Sequence, residues 1–397
     1  MREKQLVGLF LALLVSASFA ASNWFVNTEF KQDFRYRWQE EKAQGLYVLP
    51  GAAATTTTNG SAGGSRFTQY RERIRYRFGF ETKANDEMSF AGRLATGGVV
   101  DPLSTNDTLG DTDGFTKDSI VLDQAYLRYV PAWIPAEYGV ATAMLGKFDV
   151  KEGIYTVTDI QWDTDISLEG KNLNYTYKGI DGLELFANLG NYIVKESQAY
   201  DDYVLGVQQI GSKWQISSVY GLEAAAMKAY RTRVYGDDVA SMKLGKASID
   251  TRSAKFNVDT QTLGLPFVQR VSVLWEEYVN GNNAKRNMGS ANGLEIGTQK
   301  LAVLGDWSLR GLNRQLGAET GWTLGDSDTY GGAIGKTTGL NTKGTELELK
   351  VAVAENATLG LDQYCIDVMN NGYSDATHLN NDKGFQKVTQ FDINVKF

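Results

Sequence analysis

Two segments near the ends of the chain alternate apolar and polar residues with a period of two. In the segment from Trp24 to Trp38, the even positions are mostly aromatic or aliphatic and the odd positions are mostly charged. The segment from Phe385 to the terminal Phe397 repeats this pattern, apart from Lys387 and Val388. Because successive side chains of a β-strand point to opposite faces, each segment predicts a strand with one apolar and one polar face.

The apolar face of such strands can pack on a soluble core or against lipid. Each segment is long enough for a tilted membrane strand of about 9–11 residues, and aromatic residues at the ends match the girdles at the two membrane interfaces. A soluble β-sandwich would also contain alternating strands. The terminal Phe397 favours the membrane barrel, since a C-terminal aromatic residue closing an alternating strand resembles the signal read by the outer-membrane assembly machinery.

The first 20 residues have the pattern of a secretion signal. Arg2 and Lys4 precede a short apolar run, and Ser18 and Ala20 supply the small residues required for cleavage. No later apolar stretch is long enough for a transmembrane helix. We therefore expect residues 1–20 to be a cleaved signal peptide and residues 21–397 to form a single barrel, exported through the periplasm into the bacterial outer membrane.

Long and short connections alternate between the predicted strands. The long segments 39–65 and 97–117 alternate with tight turns at 83–87 and 131–135. In outer-membrane barrels the short turns lie in the periplasm and the long loops lie outside. The fold prediction is an all-β, transmembrane, antiparallel up-and-down β-barrel with about 16 strands, within about 14–18.

Several functional classes lack the residues that their chemistry needs. The net charge is −7, which gives no indication of a nucleic-acid partner. Cys365 and His378 are the only cysteine and histidine, too few for the usual zinc or iron sites. A hydrolase of the barrel type needs a histidine base, and no Gly-x-Ser-x-Gly motif is present. We expect no enzyme, no cofactor and no metal site.

Arginines occupy four successive alternate positions, 71 to 77, of the predicted second strand, 67–82. Ile74, Tyr76 and Phe78 occupy the opposite face, which must be the lipid face, because an arginine there would cost about 2–4 kcal/mol near the membrane centre. In a dry interior, the desolvation cost of a row of arginines would also be prohibitive. The pattern predicts a water-filled lumen with counter-charges opposite a basic wall. The wall consists of Arg71, Arg73, Arg75 and Arg77, extended by Arg35 and Arg37 of the first strand.

Several segments between Arg73 and Tyr129 together resemble the bacterial "putative porin" family. They are Arg73–Gly79, the turn Asn85–Asp86, Gly92–Gly97, Pro102–Asp111 and Lys117–Leu127. The resemblance implies an outer-membrane porin through which small hydrophilic solutes or ions diffuse passively, surrounded by outer-membrane lipid and lipopolysaccharide. Trimers are common among similar porins, so a homotrimer is one alternative for the oligomeric state, which the sequence leaves undetermined. The alternative is a structural or adhesive barrel whose lumen is blocked by fixed acidic side chains.

The third external loop of this topology, 149–170, is acidic. In general diffusion porins such a loop folds inward and faces an arginine cluster, which creates a transverse field at a constriction. The alternative is a solvated outer loop that binds divalent ions near lipopolysaccharide. The candidate constriction acids are Asp149, Glu152, Asp159, Asp163, Asp165 and Glu169.

Overall fold

The computed structural model describes residues 27–44, 66–99, 103–111, 113–196, 202–231, 248–265, 267–282, 287–317, 320, 324–325, 342–369 and 385–397. The expected signal peptide, most of the first external loop and His378 lie outside these residues. No helix within the described ranges is long and apolar enough to cross a membrane.

The described residues form strands, one α-helical turn (α1, Val150–Gly153) and one 3-10 turn (Ala136–Tyr138). The strands are β1 (Thr28–Gln44), β2 (Arg66–Lys83), β3 (Met88–Thr96), β4 (Asp107–Thr108), β5 (Ile120–Tyr129), β6 (Val140–Asp149), β7 (Ser167–Ile180), β8 (Leu183–Lys195), β9 (Tyr203–Gln215), β10 (Tyr220–Arg231), β11 (Ser248–Asp259), β12 (Arg270–Asn280), β13 (Met288–Gly297), β14 (Trp307–Leu316), β15 (Thr342–Ala354), β16 (Ala357–Val368) and β17 (Phe385–Lys396).

The strands close into a barrel. Long strands that follow one another along the chain pair antiparallel, and β17 pairs with β1 from Asp33↔Lys396 to Gln44↔Phe385. The two-residue strand β4 pairs with β2 where β3 has already ended, so the described residues contain sixteen long strands in one wall. Closure gives every strand two neighbours and leaves no sheet edge exposed to lipid. The predicted all-β antiparallel barrel of about 16 strands is confirmed.

The predicted strand limits agree with the structure near the N-terminal turns. The structure places β2, β3 and β5 within one residue of the predicted limits 67–82, 88–96 and 120–130. β1 differs, because it continues six residues beyond its predicted end at Trp38. Those outer residues include Glu40 and Lys42, which form an ion pair of 2.8 Å beyond the contact between the Trp38 and Tyr70 rings. Charged side chains end the apolar alternation but not the strand.

The outward face carries the apolar side chains. On β8 the alternate residues Leu185, Leu189 and Ile193 are exposed, whereas Asn188 and Tyr192 between them are buried. A ring of aromatic residues lies close to the periplasmic turns, as expected for a membrane interface. This ring includes Phe30, Trp214, Tyr220 and Phe256, and the Tyr220 and Phe256 rings stack with centroids 6.0 Å apart.

Replacing Leu189 with arginine tests which face meets lipid. Leu189 is at the middle of β8 on the outward face, so we expect Leu189→Arg to lower the free energy of unfolding in lipid vesicles by about 2–4 kcal/mol. Leu185→Arg is the matched control, because Leu185 lies on the same face near the periplasmic end, where the cost falls to about 0–1 kcal/mol. Urea unfolding measures both. Equal small costs at the two depths would contradict the assignment of this face to lipid.

Candidate functional site

The six predicted arginines lie on the inward face of β1 and β2. The strand register places Arg35 opposite Arg75 and Arg37 opposite Arg73. Like charges directly opposite one another repel, so nearby acceptors must compensate them. Arg71, the outermost of the four on β2, forms an ion pair of 2.8 Å with Glu41.

Two aspartates on the same face neutralise the central arginines. Asp33 accepts hydrogen bonds from the Nε atoms of both Arg75 (3.0 Å) and Arg77 (2.6 Å). Asp392 on β17 accepts two from Arg37, at 2.7 and 2.8 Å. These counter-charges come from β1 and β17 themselves, whereas the sequence predicted them only in the third loop.

A segment between β3 and β4 also contacts the basic wall. Asn106 Oδ1 accepts hydrogen bonds from Nε and Nη2 of Arg35, at 3.1 and 2.5 Å. Ser104 Oγ accepts one of 3.2 Å from Arg73. Both residues belong to the segment Pro102–Asp111 that carries the family resemblance, which is the only sequence signal for their position. Residues 103–106 therefore form part of the lumen wall, a role that the alternation pattern did not predict.

The third external loop lies inside the barrel, because it bonds to strands on the far side. The amide N–H of Tyr155 donates to Gln209 Oε1 of β9 (2.9 Å), and the Tyr155 hydroxyl donates to Glu223 of β10 (3.0 Å). The amides of Val157 and Thr158 both donate to Glu276 Oε2 of β12, at 3.0 and 2.9 Å. Side chains of the wall thus supply acceptors for a segment that has no regular secondary structure of its own.

The same loop carries buried apolar side chains. Ile154, Ile160 and Trp162 are 1–2% exposed and belong to a buried cluster that includes inward-facing residues of β9 to β14, as well as residues of β5 to β8, β16 and β17. Fully burying a large apolar side chain stabilises the folded state by about 1.5–3 kcal/mol. The wall residues of this cluster include Leu205, Val207, Met227, Ala229, Ile249, Tyr278, Ala291 and Leu316.

Asp165 brings the loop to the predicted arginines. Its Oδ1 lies 3.8 Å from Arg75 Nη1 and 3.4 Å from Arg77 Nη1. Its Oδ2 accepts hydrogen bonds from the amide (3.2 Å) and hydroxyl (3.0 Å) of Thr105. Burial raises the pKa of Asp165, but the charges of Arg75, Arg77 and Arg35 outweigh burial and hold the pKa at about 2.

Asp159 pairs with a second basic group that the sequence prediction missed. Its Oδ1 lies 2.6 Å from Nη2 of Arg314 on β14, a fully buried guanidinium that also bonds to Glu346 on β15. Burial raises the pKa of Asp159, and the neighbouring Arg314 and Arg310 lower it to a net value below its usual range. Two features of the sequence indicate this group. Arg310 and Arg314 are four residues apart and share one face of β14, and Glu346, Glu348 and Lys350 occupy alternate positions of β15.

The other candidate acids occupy different places. Asp149 accepts a hydrogen bond from the Lys151 amide at the start of α1, and Glu152 forms an ion pair of 2.8 Å with Arg128. The Asp163 carboxylate accepts a hydrogen bond of 2.8 Å from the Asp165 amide. Glu169 pairs with Lys147 on the outward side of the sheet, because it lies on the same face of β7 as the exposed Leu173. Asp165 is thus the candidate acid whose ion pairs reach Arg75 and Arg77 of the predicted wall.

A cavity of about 630 Å³ lies between these groups. The arginines of β1 and β2 line one side, the loop acids line another, and charged residues of β14 to β17 complete it. In the part of the chain that the structure describes, no group of three or more His, Cys, Asp or Glu side chains is arranged to hold a metal ion.

A closed antiparallel barrel with an apolar exterior and a charged lumen defines the class of outer-membrane β-barrel channels. Within this class, the chain belongs to the family described as "Putative porin", whose family model matches residues 17–263, more than half of the chain. No curated protein is significantly similar to it in sequence.

Solved porin structures match this chain at low sequence identity. OprB of Pseudomonas putida, in its high-pH structure, is 11% identical with a TM-score of 0.53, and the match covers 94% of each chain. OmpF of Salmonella typhi, in a complex with daunomycin, is 14% identical with a TM-score of 0.47 over 93% of this chain and 97% of that one. A triple mutant of Rhodopseudomonas blastica porin is 11% identical with a TM-score of 0.44 over 93% and 100%. The OprB match shows the barrel fold.

Glu276→Leu tests the attachment of the loop to the far wall. The substitution removes the shared acceptor of two amides, each bond being worth about 1–3 kcal/mol. We expect hydrogen exchange at the Val157 and Thr158 amides to accelerate about tenfold or more. Glu277→Leu is the control, since Glu277 is the next residue of β12 and lies on its outward face with Arg252. Unchanged exchange in Glu276→Leu would show that the carboxylate does not hold the loop.

The lowered pKa of Asp165 predicts a pH dependence. A carboxyl whose pKa falls on folding from 3.8 to about 2 adds stability that is present above pH 4 and is lost as the pH falls through 2. We expect Asp165→Asn to be about 2 kcal/mol less stable than wild type near neutral pH, a difference that vanishes between about pH 4 and 2. Urea unfolding across this range measures it.

Thr164→Asn is the control for this titration, because it changes the adjacent loop residue without removing a carboxylate. The difference in the free energy of unfolding between Thr164→Asn and wild type should stay constant with pH. A constant difference for Asp165→Asn as well would contradict the link between the Asp165 charge and stability.

Proposed function

We propose that residues 21–397, after removal of residues 1–20, form a water-filled diffusion porin for small hydrophilic solutes or ions. The observation that carries this proposal is the charged lumen around Asp165, Arg75 and Arg77. Many charged side chains line one cavity, and a dry interior would make their desolvation prohibitive. An aqueous pathway accounts for them.

The proposed constriction lies between the basic wall and the inward-folded loop. Asp159, Asp163 and Asp165 supply the negative side, and the arginines of β1 and β2 supply the positive side. Fixed charges of opposite sign on two sides of a narrow lumen create a transverse field, which sorts solutes by charge and dipole. Asp149 and Glu152 flank the loop at α1, and Glu169 is left out because it faces outward.

The same proposal specifies what the barrel contacts in the outer membrane. The outward apolar face contacts outer-membrane lipid, with lipopolysaccharide around the external ends of the strands. Phe397 is 65% exposed at the end of β17, where the assembly machinery could bind it. A homotrimer is the oligomeric state proposed by analogy with similar porins.

A second candidate function is a structural or adhesive barrel with a blocked lumen. The observation that favours it is the extent of the inward-folded loop. Ile154, Ile160 and Trp162 fill part of the interior with apolar contacts, and fixed carboxylates already hold Arg37, Arg75 and Arg77. A lumen closed by these contacts would not conduct.

Single-channel recording of the refolded protein in planar bilayers distinguishes the two functions. We expect stable openings, and a reversal potential in a salt gradient whose sign reports the dominant lumen charge. Asp165→Asn should shift the reversal potential towards anion selectivity, because it removes a negative charge from the cavity. Glu169→Gln is the control, since Glu169 faces outward and should leave the potential unchanged. Silence of folded, inserted protein would rule out the porin and favour the blocked barrel.

A further inference from the structure

Among the described residues, three buried side-chain oxygen atoms on the lumen face of β16 and β17 have no hydrogen-bond donor, and two of them belong to directly paired residues. These two are Oδ1 of Asp362 and Oε1 of Gln390, and the third is Oε1 of Gln386. Asp362 is 5% exposed and lines the lumen cavity, and Gln390 is fully buried. The strand register makes them direct partners, so their side chains lie side by side. Buried acceptors of this kind are rare in folded proteins and indicate a donor or cation that the protein itself does not supply.

The cations near Asp362 are engaged with other carboxylates. Glu348 is the direct partner of Asp362 on β15, and both Lys350 and Arg310 bond to Glu348. On the other side, Arg37 forms its ion pair of 2.7 Å with Asp392. Asp362 therefore faces a second carboxylate across the strand pair. Lys350 and Arg310 balance the charge of Glu348, whereas no described residue donates a hydrogen bond to Oδ1 of Asp362.

We propose that Asp362, Gln390 and Glu348 form a subsite for a cationic group, either an alkali ion or the ammonium group of a solute. An ammonium group has three donors and no acceptor, which complements a cluster of oxygen acceptors. Charge-assisted hydrogen bonds to a carboxylate are stronger than neutral ones. Because Lys350 and Arg310 already pair with Glu348, the charge of Asp362 is the one left to balance, and the cluster fits a single positive charge.

The position of this subsite defines a class of solutes. Asp362 lines the same cavity as Arg35 and Arg75, and only β17 separates its strand from β1. A solute that carries both an ammonium and a carboxylate group can place one on each side. The inference deepens the proposed function by naming zwitterionic solutes as favoured, and the binding subsite itself can be tested without conduction.

Titration calorimetry with ethanolamine tests the subsite on the refolded mature protein in detergent at neutral pH. We expect ethanolamine to bind and tetramethylammonium, which has the same charge but no hydrogen-bond donor, to bind more weakly. Asp362→Asn should weaken ethanolamine binding about tenfold, the effect of losing one charge-assisted hydrogen bond. Gln390→Leu should weaken it less, and it provides a second variant that keeps the charge. Asp181→Asn, in the exposed turn between β7 and β8, is the control.

Titration calorimetry with potassium chloride separates the two sources of the cation. If ethanolamine does not bind, but potassium binds and Asp362→Asn removes that binding while Asp181→Asn does not, the subsite holds an alkali ion. If Asp362→Asn changes neither measurement, the proposal is overturned, and a proton on Asp362 that donates to Gln390 explains the two oxygens. Normal openings in that case would leave the porin function intact. Ethanolamine binding to a barrel that never opens would keep the subsite and overturn the porin function.

Discussion

The structure depends on the requirement that every backbone N–H and C=O group within a membrane finds a partner in the protein. Pairing β17 with β1 meets this requirement, because it removes the two edges that an open sheet would expose to lipid. Closure then assigns opposite environments to alternate residues of each strand. The arginine row of β2 must share the lumen with its counter-charges, since its other face meets lipid.

A barrel of about sixteen strands is too wide for the side chains of its wall to fill. The third loop occupies part of the remaining space, and it is held by two kinds of contact. Apolar residues such as Trp162 belong to a buried cluster with residues of the wall, and wall acceptors such as Glu276 bind its backbone amides. On the opposite side, Asp165 reaches Arg75 and Arg77 through ionic contacts. The open cavity therefore lies on the ionic side.

The fold was more predictable from the sequence than the site. Period-two alternation and loop length are local properties, and they placed β2, β3 and β5 within one residue. The partners of the arginines depend on strand register and on where a loop folds. Asp392 is far from Arg37 in sequence and becomes its partner only through closure of the barrel. Asn106 lies in a loop, where alternation predicts no direction, and Glu169 was misplaced because the predicted loop extended into β7.

The direct opposition of Arg35 and Arg75 has a consequence for the field in the lumen. Arginines held apart by repulsion alone would adopt many rotamers, and their charges would average over the pore. Asp33 and Asn106 instead fix them through several hydrogen bonds each, which orients the guanidinium groups before a solute arrives. Preorganised charges interact with a passing dipole without first paying for their own rearrangement. For the proposed porin function, Asp33 therefore has two effects: it reduces the net charge of the wall and it orients the guanidinium groups. The proposed selectivity then depends on this orientation as well as on the number of arginines.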